Sequence, residues 1–141
     1  MNNLEKKLRY QFKNKSILKL SLSHRSYANE NKSGDNEVLE FLGDSILGMV
    51  VGHMLVEKYP KMNEGQLSLE RAKLVSQTSL ANLARSINLD KHVLLGNGER
   101  NNGGAKKDSI LADTFEALIA AIYKDSNFET VQKIINLIFK L

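Results

Sequence analysis

Four carboxylates in this sequence fall at spacings and in company that suggest chemistry: Glu40 and Asp44 four apart, and Asp113 and Glu116 three apart. Glu37 extends the first pair. At about 100° per residue, a helix stacks Glu37, Glu40 and Asp44 within roughly 60° of arc. The neighbours of both sets are apolar, with Leu39, Phe41, Leu42, Ile46 and Leu47 around the first and Ile110, Leu111, Phe115, Leu118 and Ile119 around the second. A helix apolar nearly all round is expected to be buried, which would set these acids beside the core. Carboxylates there cost several kcal/mol each unless something compensates them. No Lys or Arg lies between Glu37 and Glu57, and the second set has none nearer than Lys107 and Lys124. Acid pairs on exposed helices are usually just a solvated face. On two such apolar helices, the simplest single compensation is a hard divalent cation, and oxygen-only ligands favour Mg²⁺ or Mn²⁺ over zinc.

Mg²⁺ retains waters when bound, so such a site stays open to substrate, and a phosphate ester is the natural one. The ion can polarise a phosphoryl oxygen and acidify a water for in-line attack, which makes a side-chain nucleophile unnecessary. The sequence agrees, having no cysteine, no plausible serine triad and no closely spaced histidines. A glycosidase would need paired carboxyls but no metal shell around them.

The elements that must position these acids read as helices throughout. With 141 residues, the length predicts one domain over 1–141 with a substantial core. The absence of cysteine rules out disulfides and thiolate metal sites and agrees with a reducing compartment. The start lacks an apolar leader and no apolar run approaches bilayer length, so the expectation is a soluble, cytoplasmic protein with no membrane partner. A net charge of +4 suits a polyanionic partner, though only weakly.

Periodicity predicts helices over Leu4 to Phe12, from Ser16 through Leu22, over about 36–58, over Gln66 to Val75, over Ser76 to Ile87, over Ser109 to Tyr123, and over Phe128 to Leu141. Asp35 or Asn36 can cap the acidic helix, Ser16 the second and Asn127 the last, and the helices of 66–75 and 76–87 are expected to form a hairpin. No strand run is evident, and His53 falls off the acidic stripe. Ser23-His24-Arg25-Ser26-Tyr27 reads as a polar cluster closing a helix or contacting a ligand, and Asn29 to Gly34 as a polar loop. Gly96 to Lys107, with four glycines among polar and basic residues, is expected to be irregular, as either a flexible linker or a phosphate cradle.

Taken together, these motifs resemble the catalytic domain of bacterial ribonuclease III. Four segments carry the resemblance: His24-Arg25-Ser26; Asn36-Glu37 followed by Leu39-Glu40-Phe41-Leu42-Gly43-Asp44-Ser45; Glu64-Gly65 with Leu67-Ser68 and Leu74-Val75-Ser76; and Gly98-Glu99 with Gly103-Gly104 and Ser109 to Ala117. The match runs in order over nearly the whole chain.

The resemblance implies the all-α endonuclease-domain fold of that family, a homodimer of helical bundles whose two sites lie in a valley that accepts double-stranded RNA. It implies that Glu40, Asp44, Asp113 and Glu116 hold Mg²⁺, for which Mn²⁺ can substitute, with Asp44 and Glu116 essential to the chemistry. Glu37 and Glu64 would be accessory acids near the RNA, and Phe41 would insert into the partner subunit. The products would carry 5′-phosphate and 3′-hydroxyl ends. The resemblance also moves His24, Arg25, Lys106 and Lys107 towards substrate or the dimer interface. Duplex RNA is read by shape and backbone contacts, for which such residues suffice.

Val38 and Asn127 depart from the family pattern, both peripherally. Family members typically continue into a double-stranded-RNA-binding domain, whereas this sequence stops at Leu141, which favours a truncated chain. Two rivals are an inactive RNA-binding or dimerisation module and a helical phosphohydrolase of small nucleotides.

Overall fold

The computed structural model describes residues 1–140, so the expected end of the last helix at Leu141 lies outside the described residues. Among the described residues nine α-helices follow one another: α1 Asn3–Leu8, α2 Lys15–Leu22, α3 Arg25–Asn31, α4 Glu37–Lys58, α5 Glu64–Leu74, α6 Gln77–Ser86, α7 Asn97–Asn101, α8 Asp108–Asp125 and α9 Phe128–Phe139. The only extended pairing among the described residues is one parallel bridge between Ser23 and Leu94.

The most deeply buried helix is also the most central. Helix α8 is almost wholly buried from Ile110 to Ile122, with only Asp113 and Glu116 less covered. Helices α4, α6, α2 and α9 pack around it. Small residues on α8, Ala112, Ala117, Ala120 and Ala121, are fully or nearly fully buried and permit close approach.

The tightest approach is made by Gly43 of α4. A Cβ placed there would lie 1.8 Å from the carbonyl oxygen of Glu116, so only glycine lets the two backbones cross at that point. Asn36 anchors the start of α4: its buried side chain donates to the Ser21 carbonyl at 2.9 Å, and its N–H donates to the Ser23 carbonyl at 3.0 Å.

Several expectations are corrected. Helix α4 is not buried all round, because Val38, Phe41 and Met49 are 80%, 76% and 65% exposed. One face packs on α8 and the acids flank it, while the remaining apolar face has no cover among the described residues. In length and mean hydropathy, α4 would also pass for a membrane span, but it packs along α8 in the bundle and carries Glu37, Glu40 and Asp44.

Most of the polar cluster ending at Tyr27 and the start of the loop expected over Asn29 to Gly34 belong instead to helix α3, whose apolar signal is too thin to read because Ala28 alone is buried. The glycine-rich segment expected to be irregular contains α7 and a 3₁₀ turn at Gly104–Lys106, joined through Gly103 at φ 78°. Helices α5 and α6 do not form a closed hairpin, since α5 leans on α4 and α6 on α8. The caps shift too: Asn14 rather than Ser16 caps α2, and Asn63 starts α5 at Glu64. At α4, Asn36 holds the cap position but the Asp35 carboxylate accepts the Glu37 N–H. Helix α1 ends at Leu8, short of Phe12. Asn127 caps α9 as expected.

Candidate metal centre

The Gly43 crossing sets the geometry of the acids. Glu40, one turn before Gly43, comes to face Asp113 and Glu116 on α8, and each of the three offers a carboxylate oxygen within 4.8 Å of the others. Asp44 adjoins from the next turn of α4, outside the group of three but near enough to Glu116 to push its pKa up. Glu37 stands one turn earlier and adds its charge to the field at Glu40.

Beside the cluster opens a cavity of about 110 Å³, bounded by His24, Arg25, Asn36, Glu37, Glu40, Ile110, Asp113 and Thr114. Thr114 contributes little polarity, because its hydroxyl donates to the Ile110 carbonyl of its own helix at 2.7 Å. Among the described residues, no Lys or Arg forms an ion pair with Glu40, Asp44, Asp113 or Glu116.

The electrostatic consequence is large. Burial and then the facing Asp113, Glu37 and Asp44 push Glu40 up to about 7. Burial, then the neighbouring Asp44 and the surrounding acids, push Glu116 up to about 8. Burial raises Asp113 as well, partly offset by its hydrogen bond with Glu40 and by His24. Groups so destabilised as anions are the ones a cation would compensate. The donor set also fits a hard ion, since it is all carboxylate, drawn from two rigid helices and open on one side.

The other expected site residues fall elsewhere. Glu64, at the start of α5, lines a separate groove of about 410 Å³ with Gly52, Leu55, Val56, Leu67, Ser68 and Arg71. Phe41 lies on the uncovered face of α4. Lys107 donates to the Glu99 carboxylate at 2.6 Å, and the Lys106 carbonyl accepts from Arg85 at 3.0 Å. His53 stands near Glu57 at 4.0 Å, off the acidic cluster as its helical position implied.

Two contributors escaped the residue-by-residue reading. A glycine inside a helix costs about 1 kcal/mol relative to alanine, so Gly43 was itself a signal of close backbone approach. Asn36 carried no comparable signal, since its contact with Ser21 depends on the packing of two distant segments.

An all-helical bundle with a carboxylate cluster at the crossing of its two longest helices defines a narrow class of candidate metal-binding proteins, and comparison narrows it further. Residues 14–141 match the family described as Ribonuclease-III-like. Proteins named Ribonuclease 3 from Pseudomonas entomophila and Aliivibrio fischeri are 50% and 53% identical, over 94% and 96% of this chain. The aligned part is 56% and 59% of those proteins, so the chain spans little more than half the length of the relatives it matches. The nuclease domain of ribonuclease III from Campylobacter jejuni superposes with a TM-score of 0.94 at 44% identity, covering 99% of this chain and 95% of that one. That structure was described for flexibility in a region involved in dimer formation. The chain belongs to the ribonuclease III family and has its nuclease-domain fold.

Proposed function

We propose that this chain is the endonuclease unit of a divalent-metal-dependent ribonuclease, a homodimer that hydrolyses phosphodiesters of double-stranded RNA to 5′-phosphate and 3′-hydroxyl ends. The observation that carries the reading is the approach of Glu40, Asp113 and Glu116 to within 4.8 Å, with no Lys or Arg among the described residues ion-paired to them. Membership of the family and the relatives named Ribonuclease 3 support a ribonuclease reading, and a role in processing ribosomal and messenger RNA is part of this proposal.

Glu40, Asp44, Asp113 and Glu116 would hold Mg²⁺, with Mn²⁺ as substitute. Bound there, the ion supplies Lewis acidity towards a phosphodiester and lowers the pKa of a water. The remaining chemistry rests on the chain. Helices α4 and α8 hold the four carboxylates in a fixed arrangement, so little reorganisation accompanies binding. Glu37, His24 and Arg25 form the rim that an incoming strand would meet. Exposed Lys106 and the basic exterior would attract the backbone, with affinity falling as salt rises.

Val38, Phe41 and Met49 form an apolar face on α4, which suits a second copy of the chain, with Phe41 as the inserting residue. Phe41→Ala should shift sedimentation towards monomer while leaving each protomer folded, because Phe41 is 76% exposed within it.

The primary test is incubation with duplex RNA and Mg²⁺. Cleavage that EDTA abolishes and Mn²⁺ restores supports the proposal. Binding without cleavage at low salt would favour an RNA-binding module, and turnover of free nucleotides a phosphohydrolase.

A further inference from the structure

We infer that His24 is a substrate-contacting residue whose Nε2–H is held in the acid-lined cavity to donate a hydrogen bond to a non-bridging phosphate oxygen of the RNA strand. The inference rests on the nuclease reading above and adds a role that the carboxylates cannot fill, since they are acceptors and the incoming phosphate is an anion.

The backbone fixes where His24 sits. Its N–H donates to the Leu94 carbonyl at 3.0 Å, and the Leu94 N–H donates to the Leu22 carbonyl at 2.8 Å, which joins the end of α2 to the segment before α7. His24 is also the N-cap of α3, and its Nδ1 accepts the Ser26 backbone N–H at 3.1 Å. A backbone N–H can only donate, so Nδ1 must present its lone pair and the ring hydrogen of the neutral imidazole must be on Nε2.

A second donor reinforces this assignment. The Ser26 hydroxyl lies 2.8 Å from Nδ1 and accepts the Gly96 N–H at 2.8 Å, which leaves its own hydrogen for the imidazole. Gly96 can approach this closely only without a side chain, because a Cβ there would lie 2.3 Å from a Glu30 carboxylate oxygen and 2.7 Å from the Ser26 carbonyl. The run Gly96, Ser26, His24 therefore orients one ring from two distant parts of the chain.

Nε2 has no hydrogen-bond partner among the described residues, and His24 bounds the cavity together with Arg25, Glu40 and Asp113. Half-buried, the ring is held by its other nitrogen and keeps a free donor beside a cavity whose lining pairs three carboxylates with Arg25. An oxygen anion entering beside the carboxylates needs such a donor, and a hydrogen bond to a charged group is the stronger kind.

The test separates reach from folding. His24→Asn keeps an oxygen able to accept the Ser26 N–H, since asparagine is a favoured N-cap, but its side chain stops short of the Nε2 position. It should melt as the wild type does and cleave duplex RNA roughly 10- to 100-fold more slowly. Wild-type rates in this variant would overturn the inference.

On the unsubstituted protein, ¹⁵N shifts of the His24 ring should report the Nε2–H tautomer, and the Nδ1–H tautomer would overturn it even if His24→Asn failed to fold. Duplex RNA carrying randomly placed phosphorothioates locates the acceptor. One position that slows the wild type should have no further effect in His24→Asn, whereas an unchanged interference pattern would exclude a phosphate contact. Failure of the wild type itself to cleave duplex RNA would refute the nuclease reading, a result distinct from all of these.

Discussion

Two groups of carboxylates in this molecule are treated in opposite ways. Glu5 is 2% exposed, yet it accepts the Phe12 N–H at 2.7 Å, the Asn2 N–H at 3.1 Å and the Lys15 ammonium at 2.7 Å. Burial alone would raise it, but Lys15 and the two backbone donors outweigh that and hold it below its ordinary value. Asp125 is similar: burial is outweighed by the Tyr10 hydroxyl at 2.6 Å and the N–H groups of Lys13 and Asn14. Glu40, Asp113 and Glu116 instead face one another, and their values rise. A carboxylate supplied with protein donors ties the chain together, whereas one supplied only with other carboxylates is left for a ligand to complete.

The largest test of this contrast is Glu116→Gln, which keeps the volume and removes a charge. Cleavage in Mg²⁺ should fall below detection while RNA binding and folding persist, and equal loss of binding and cleavage would count against a metal-holding role. Gly43→Ala should come next. With backbone in the way at 1.8 Å, α4 and α8 must separate, destabilising the fold by about 3 kcal/mol in urea titration and disturbing the cluster while leaving Glu5 and its donors unchanged.

Glu5→Gln should cost about 1.5–3 kcal/mol, because three donors lose their anion, and the loss should not depend on divalent ions. Glu116→Gln should have the opposite sign, raising the melting temperature of the metal-free protein by relieving like-charge repulsion. Destabilisation by both substitutions would break the contrast.

The smallest expected effect is on pH dependence. Glu40 and Glu116 have folded values raised from 4.5 to about 7 and about 8, so between those limits the folded protein binds more protons than the unfolded one. Without divalent ions, melting temperature should therefore fall as pH rises through this window, and Mg²⁺ should restore more of it at the upper end than at the lower. Glu5 and Asp125 work in the other direction: their lowered values give stability that is present above the ordinary carboxylate range and lost as pH falls through the folded values. Calorimetry with and without Mg²⁺ would resolve the two arms.

Much of the fold was legible because its central helices have long, unambiguous patterns. Helix α4 was placed at 36–58 and is observed at Glu37–Lys58, and the run at α8 was bounded nearly as well. Short helices held by polar contacts escaped the same reading. Helix α3 buries only Ala28, and α7 buries nothing among its five residues, so neither leaves a hydrophobic period to detect. The exposed face of α4 also escaped composition, since Val38, Phe41 and Met49 look like core residues until the neighbours that would cover them are found missing within the protomer. The family resemblance pointed to Phe41 for a reason that periodicity alone could not supply.

The sequence alone determined that the chain is helical, that its acids lie on its most apolar helices, and that no nearby cation on those helices balances them. These are local properties, set by residue type and by repeats of three and four. Only the tertiary structure decided that Glu40 meets Asp113 and Glu116, that Glu64 does not join them, and that His24 is oriented by a serine and a distant glycine. Those outcomes depend on how closely two helices cross and where segments some seventy residues apart come together, |i−j| being 70 between Gly96 and Ser26, and such distances arise only when the whole chain packs.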